Sequence, residues 1–190
     1  MEKPLFEKCG FIPIFRKSTN MSRGFVKEED QEEAPFIPPR AALPPGVTNY
    51  VTPEGYEELL KEKKDLEDSR RHLDIASDKE RRHATAVIDG KLNLLNERIA
   101  SARILKSEDQ PKDEVRFGAT VKFKFLAGNS KNSEQEFTIV GVDEADIKQR
   151  KIAFLAPLAR ALTGKKVGEK AEVMMAGKVQ QLELLQITYS

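Results

Sequence analysis

The sequence predicts an α+β protein in which an antiparallel helical hairpin precedes a small antiparallel-sheet domain, behind a disordered N-terminal tail. Three observations carry this. Between residues 50 and 107, apolar residues recur every seven positions or at alternating steps of three and four, the period of a coiled coil. From residue 115 to 190 the period falls to two, as in strands with one buried face. Residues 1–49 have no period, and their composition is acidic and proline-rich.

The tail contains "KEEDQEE" and "APFIPPRAALPPG", which favour extended backbone over a packed core. Phe6, Phe11, Phe15 and Phe25 are alternative anchors of a short binding motif, and Met21 offers a second start site. The hairpin then begins sharply. In "NYVTPEGYEELL", Thr52 is placed to cap a helix and Pro53 to open it, where its missing N–H costs nothing. Glu54, Glu57 and Glu58 complement the helix dipole. Leu59, Leu66 and Leu73 form a heptad stripe joined by Tyr56, weakened by Lys63 and Arg70 at partner seam positions. The second stripe is cleaner: Thr85, Ile88, Leu92, Leu95, Ile99 and Ala102. "KSEDQPKDE" follows as a charged linker.

In the last third, "ATVKFKF" puts Val121, Phe123 and Phe125 on one face of a strand. "EFTIVGV", "KIAFL", "KAEVMM" and "LLQITY" are further strands. "APLARALTGKKVGE" holds a short helix opened by Pro157 and stopped by Gly164, with Gly168 in the next turn.

Composition narrows the partners. The 190 residues carry 32 Lys+Arg against 31 Asp+Glu, a net charge of +1, so there is no basic excess for sequence-independent nucleic-acid binding. A single Cys9 excludes an internal disulfide, and His72 and His83 are too few for a histidine metal site. Apolar runs fall short of the ~20 residues that span a bilayer. "CGFIPIF" is a short run preceded by Glu2 and Glu7, unlike a signal peptide. The reading is a cytoplasmic monomer with no cofactor of its own.

"VRFGATVKF", "FTIVGVDEAD" and "APLARALTGKKVGEKAEV", in that order, resemble the C-terminal FKBP-like domain of the bacterial Gre transcription-elongation factors. "YVTPEGYEEL" resembles the start of their coiled-coil domain, so the resemblance covers residues 50–190. It resembles a shorter-armed branch in particular. The resemblance implies that the C-terminal domain docks at the rim of the RNA polymerase secondary channel while the hairpin enters it. In cleavage factors, tip carboxylates help hold a second Mg2+ in the polymerase site, so that backtracked RNA is hydrolysed; the factor alone has no activity. Nucleic acid is met only within that complex. Carried over by position, docking falls on Leu155, Ala156, Pro157, Leu158, Ala159 and Arg160, with Leu162 nearby. Leu155 and Ala156 depart from the family, which often has a small polar or acidic residue and then serine. Ala159 and Leu162 also read as core. Arg160 reads either as a partner contact or as an internal ion pair with Asp143, Glu144 or Asp146, while the "DEAD" run reads as a solvated turn.

At the tip, "LDIASDKE" offers Asp74, Asp78 and Glu80 as the residues that approach the polymerase active site and its Mg2+. The order differs from the family's cleavage tip, and Arg70, Arg71, Lys79, Arg81 and Arg82 surround it. Ser77 and Glu80 have the spacing of a capping box, which starts the second helix at Ser77. A rival placement centres the turn on residues 78–81. The hairpin also reads about one heptad shorter per arm than a cleavage factor, ~10 Å of reach. The leading expectation is a factor that modulates pausing or backtracking without supplying metal ligands. The alternatives are an active cleavage cofactor, a prolyl isomerase, for which Phe117, Phe123, Phe125, Phe137, Phe154 and Tyr189 are the available aromatics, and a coiled-coil adaptor.

Overall fold

Thr52 caps the first helix as its sequence demands. Its hydroxyl accepts from the Gly55 amide at 2.9 Å, and Pro53 follows at the first helical position. The computed structural model describes residues 34–126, 132–175 and 177–189. The phenylalanine anchors and the second start site lie outside the described residues.

Helix α1 spans Pro53–Arg71 and α2 spans Asp78–Ser101, packed as a hairpin. Its apolar seam is short. Leu59 and Leu95 are buried with Val51, and Tyr56, Leu66, Ile99 and Ala102 pack around them. Everything beyond Leu66 toward the tip lacks a buried side chain. The base is closed by strands the sequence pattern does not reveal: β1 (Asn49–Val51) pairs in parallel with β2 (Ala102–Ile104). Ala102 therefore ends the helical stripe instead of continuing it. Its ψ of 132° turns the chain into β2, where backbone pairing replaces the helical bonds.

The second layer is a five-stranded sheet of β3 (Ala119–Phe125), β4 (Glu134–Val140), β5 (Lys151–Ala153), β6 (Lys170–Met175) and β7 (Lys178–Tyr189), in the order β5-β4-β3-β7-β6. Every predicted strand is present, and β3 lies at the centre between antiparallel neighbours. One pair departs from the antiparallel expectation: β5 runs parallel to β4, because residues 141–150 carry the chain back before Lys151 pairs with Thr138. Val121, Phe123 and Phe125 alternate inward at 0%, 0% and 5% exposure. Burial of a phenylalanine of this kind contributes ~1.5–3 kcal/mol. Helix α3 (Pro157–Leu162) covers this core with Ala159 and Leu162, and Gly164 ends it at φ 80°.

The N-terminal flank corrects part of the sequence reading. Residues 37–43, assigned to the disordered tail, lie against the hairpin. Arg40 is held by Glu62 of α1, and the Ala41 carbonyl accepts from Arg98 of α2. Composition favours backbone outside helix and sheet here, and residues 37–43 are in neither; three ion pairs among Arg40, Glu62, Asp143 and Arg98 give them a place to lie.

Candidate functional site

The hairpin turn occupies residues 72–77, between the His72 cap of α1 and the Ser77 cap of α2. The Ser77 hydroxyl accepts from the Glu80 amide at 3.4 Å, a long bond, and Asp78 and Glu80 fall in the first turn of α2. The rival turn at residues 78–81 is thereby excluded. Asp74, Asp78 and Glu80 are all exposed. Asp78 is ion-paired with Arg81, Asp68 with Arg71 at 3.1 Å, and Asp89 with Arg70 at 2.6 Å. Of the three predicted tip residues, Asp78 is thus the one with an arginine partner among the described ion pairs, and Asp74 sits in the loop itself, outside both helices. No cluster of three or more His, Cys, Asp or Glu side chains suited to a metal occurs among the described residues. A Mg2+ ligand set needs free carboxylate oxygens; of the three, Asp78 has one oxygen engaged in an exposed pair with Arg81.

The predicted docking segment divides by exposure. Pro157 and Arg160 are exposed, Leu155, Ala156 and Leu158 are half-buried, and Ala159 is fully buried in the sheet core. Ala159 is removed from the contact set by its burial, since a side chain at 0% exposure presents nothing to a partner. Ala156 caps α3 without a side-chain hydrogen bond, as expected for alanine in place of serine. Leu155 and Arg160 border a cleft of 460 Å3 whose other walls include Tyr50, Phe117, Phe154 and Arg116. The three rings stand 5.9–6.0 Å apart, tilted or edge-on, joining β1 of the hairpin base to the sheet domain.

The internal ion-pair reading for Arg160 is overturned, because the carboxylates it needs are engaged elsewhere. Asp146 caps a 3-10 turn by accepting from the Lys148 amide at 2.8 Å. Asp143, whose side chain is 5% exposed, takes Arg40 at 3.1 Å and Arg98 at 3.0 Å. Glu144, at 8% exposure, accepts from the Thr52 amide at 3.0 Å, the Gly141 amide at 3.2 Å and the Thr52 hydroxyl at 2.5 Å. The "DEAD" run is therefore no solvated turn. It is the junction between sheet domain and hairpin, with Glu144 set at the positive end of α1. Two glycines make room: a Cβ on Gly55 would lie 2.0 Å from the Glu144 Cδ, and one on Gly141 would lie 2.7 Å from its Oε1. Sequence reasoning missed these roles. The only local signal was the pairing of glycines with an acidic run, and it names no partner. Arg40 completes the junction, and its pairing with Glu62 raises its affinity for the proton above the ordinary guanidinium value.

Among the described residues no helix is long and apolar enough to cross a membrane. Comparison with known proteins gives a consistent result. The family described as "Transcription elongation factor, GreA/GreB, C-term" matches residues 110–189. The transcription elongation factor GreA of Hyphomonas neptunium is 35% identical over 127 residues, covering 65% of this chain and 79% of that protein. The GreA of Thermodesulfovibrio yellowstonii is 30% identical over 154 residues, 73% of this chain and 96% of that protein. A solved structure of a GreA/GreB elongation factor from Nitrosomonas europaea shares 23% identity over 74% of this chain and 98% of its own, at a TM-score of 0.36.

Proposed function

The chain belongs to the GreA/GreB family of transcription elongation factors, and from that premise we propose that it binds RNA polymerase and modulates pausing or backtracking without completing the metal site. Its sheet domain docks at the rim of the secondary channel through Leu155, Ala156, Pro157, Leu158 and Arg160, and the hairpin enters the channel. The factor is not an enzyme by itself, and the Mg2+ stays with the polymerase.

The observation that carries this reading is the state of the tip: Asp78 is held by Arg81, and Glu80 sits with it in the first turn of α2. Such carboxylates stabilise the helix start rather than reach for a cation. The docking edge is supported by Pro157 and Arg160, exposed on a helix whose opposite face is locked into the core.

The test uses cognate polymerase stalled in a backtracked complex with Mg2+, and labelled RNA. The expected result is no acceleration of 3′-end cleavage, together with protection against an added cleavage factor. Pro157→Asp with Arg160→Glu is expected to abolish polymerase binding and leave the circular dichroism spectrum unchanged. One observation favours a second reading, an active cleavage cofactor: Asp74 is exposed in the apical loop and no described ion pair includes it. Accelerated cleavage that disappears in Asp74→Ala/Asp78→Ala/Glu80→Ala would establish that reading instead.

A further inference from the structure

We propose that residues 37–43 form a strap that sets the orientation of the hairpin on the sheet domain, with Arg40 as its positioning residue. Glu144 grips Thr52 at the very start of α1 and the Tyr50 ring meets Phe117 and Phe154 beside it, but both contacts lie at the same end of the rod. Arg40 supplies a second point. Its terminal nitrogens donate to both Glu62 oxygens at 2.8 and 3.0 Å, and its Nε donates to Asp143 at 3.1 Å. Glu62 lies ten residues past Thr52, ~15 Å along the helix axis at 1.5 Å per residue. Two attachments separated by that distance fix an angle.

The same carboxylate recruits the second helix, through the Arg98 Nε at 3.0 Å from Asp143. Strap and α2 thus meet the sheet domain at one buried acid, 5% exposed, and Arg40 carries the connection on to Glu62 of α1. The Arg40–Glu62 pair is planar and bidentate, which holds geometry as well as charge. The strap is also seated sterically. Gly90 is in the middle of α2, where glycine is less favourable than any residue but proline. A Cβ there would lie 2.0 Å from the Ile37 Cδ1, so the missing side chain is the slot that Ile37 occupies. Arg98 fastens the next turn of the strap by donating to the Ala41 carbonyl.

The experiment needs no polymerase, so its outcome is independent of the functional reading above. In the full chain with Cys9→Ser, spin labels are placed at Ala76→Cys on the hairpin tip and Lys178→Cys on the sheet domain, and their separation is measured by pulsed electron paramagnetic resonance. One narrow distance population is expected. Arg40→Ala is expected to broaden it or add a second population. Gly90→Leu is expected to do the same by filling the Ile37 slot with a good helix former, which keeps α2 intact. Arg71→Ala, which removes only a tip ion pair, is expected to change nothing. A broad population in the parent overturns the proposal, as does an unchanged one in both Arg40→Ala and Gly90→Leu.

Discussion

A carboxylate at 8% exposure needs donors for its oxygens, and Glu144 finds them in Thr52 and Gly141. That arrangement reverses a usual rule at Gly55. Alanine for glycine within a helix ordinarily stabilises by ~0.5–1 kcal/mol. Here the added Cβ would overlap the Glu144 side chain, so Gly55→Ala is expected to destabilise by ~1–3 kcal/mol, read as a fall in the urea midpoint. Tyr189 provides a pH test. Burial raises its phenol pKa above the ordinary value, and its hydroxyl donates to the Glu114 carbonyl at 2.6 Å. A raised folded pKa means the contribution is complete below the unfolded value of ~10 and is lost as pH climbs through the folded one. Stability is therefore expected to decline above about pH 10, with a shallower decline in Tyr189→Phe. At this scale the Thr52 cap was legible, because its partner Gly55 is three residues away. The bond from Thr52 to Glu144 spans 92 residues and has no local signature.

The hairpin is an element of unequal halves. Heptad spacing located both helices, and Lys63 and Arg70 marked the first stripe as the weaker one, but nothing in the spacing showed that burial would be confined to the base around Leu59 and Leu95. Protection against amide exchange is accordingly expected to be highest near Leu59 and Leu95 and to fall steadily toward residues 72–77. Uniform protection along both helices would contradict that picture. The Arg70–Asp89 pair in the outer half is about half exposed, and Arg70→Ala is expected to change stability by no more than ~1 kcal/mol in thermal melts. The short β1–β2 pair escaped the sequence reading for a simple reason. Three residues on each side are too few to display a period of two, and each run abuts a strong helical pattern.

For the whole molecule, the two apolar clusters differ in self-sufficiency. All thirteen residues of the sheet-domain core come from Val115 onward, whereas the hairpin cluster holds only Val51, Leu59 and Leu95. Residues 112–190 expressed alone are expected to melt cooperatively, and residues 49–105 alone to show low helicity by circular dichroism. Alternation of apolar residues made the sheet readable from sequence. The strap and the junction were not, because they rest on single charged residues brought together from residues 40, 62, 98 and 143.

Tyr50 gives this junction an optical consequence. The chain contains no tryptophan and three tyrosines, and Tyr50 is the one whose ring meets Phe117 and Phe154 across the hairpin base. A phenol fixed among tilted rings absorbs circularly polarised near-ultraviolet light unequally, and that signal fades when the packing loosens. The unlabelled protein thus carries its own gauge of whether hairpin and sheet domain are seated together, and Tyr50→Phe supplies the blank.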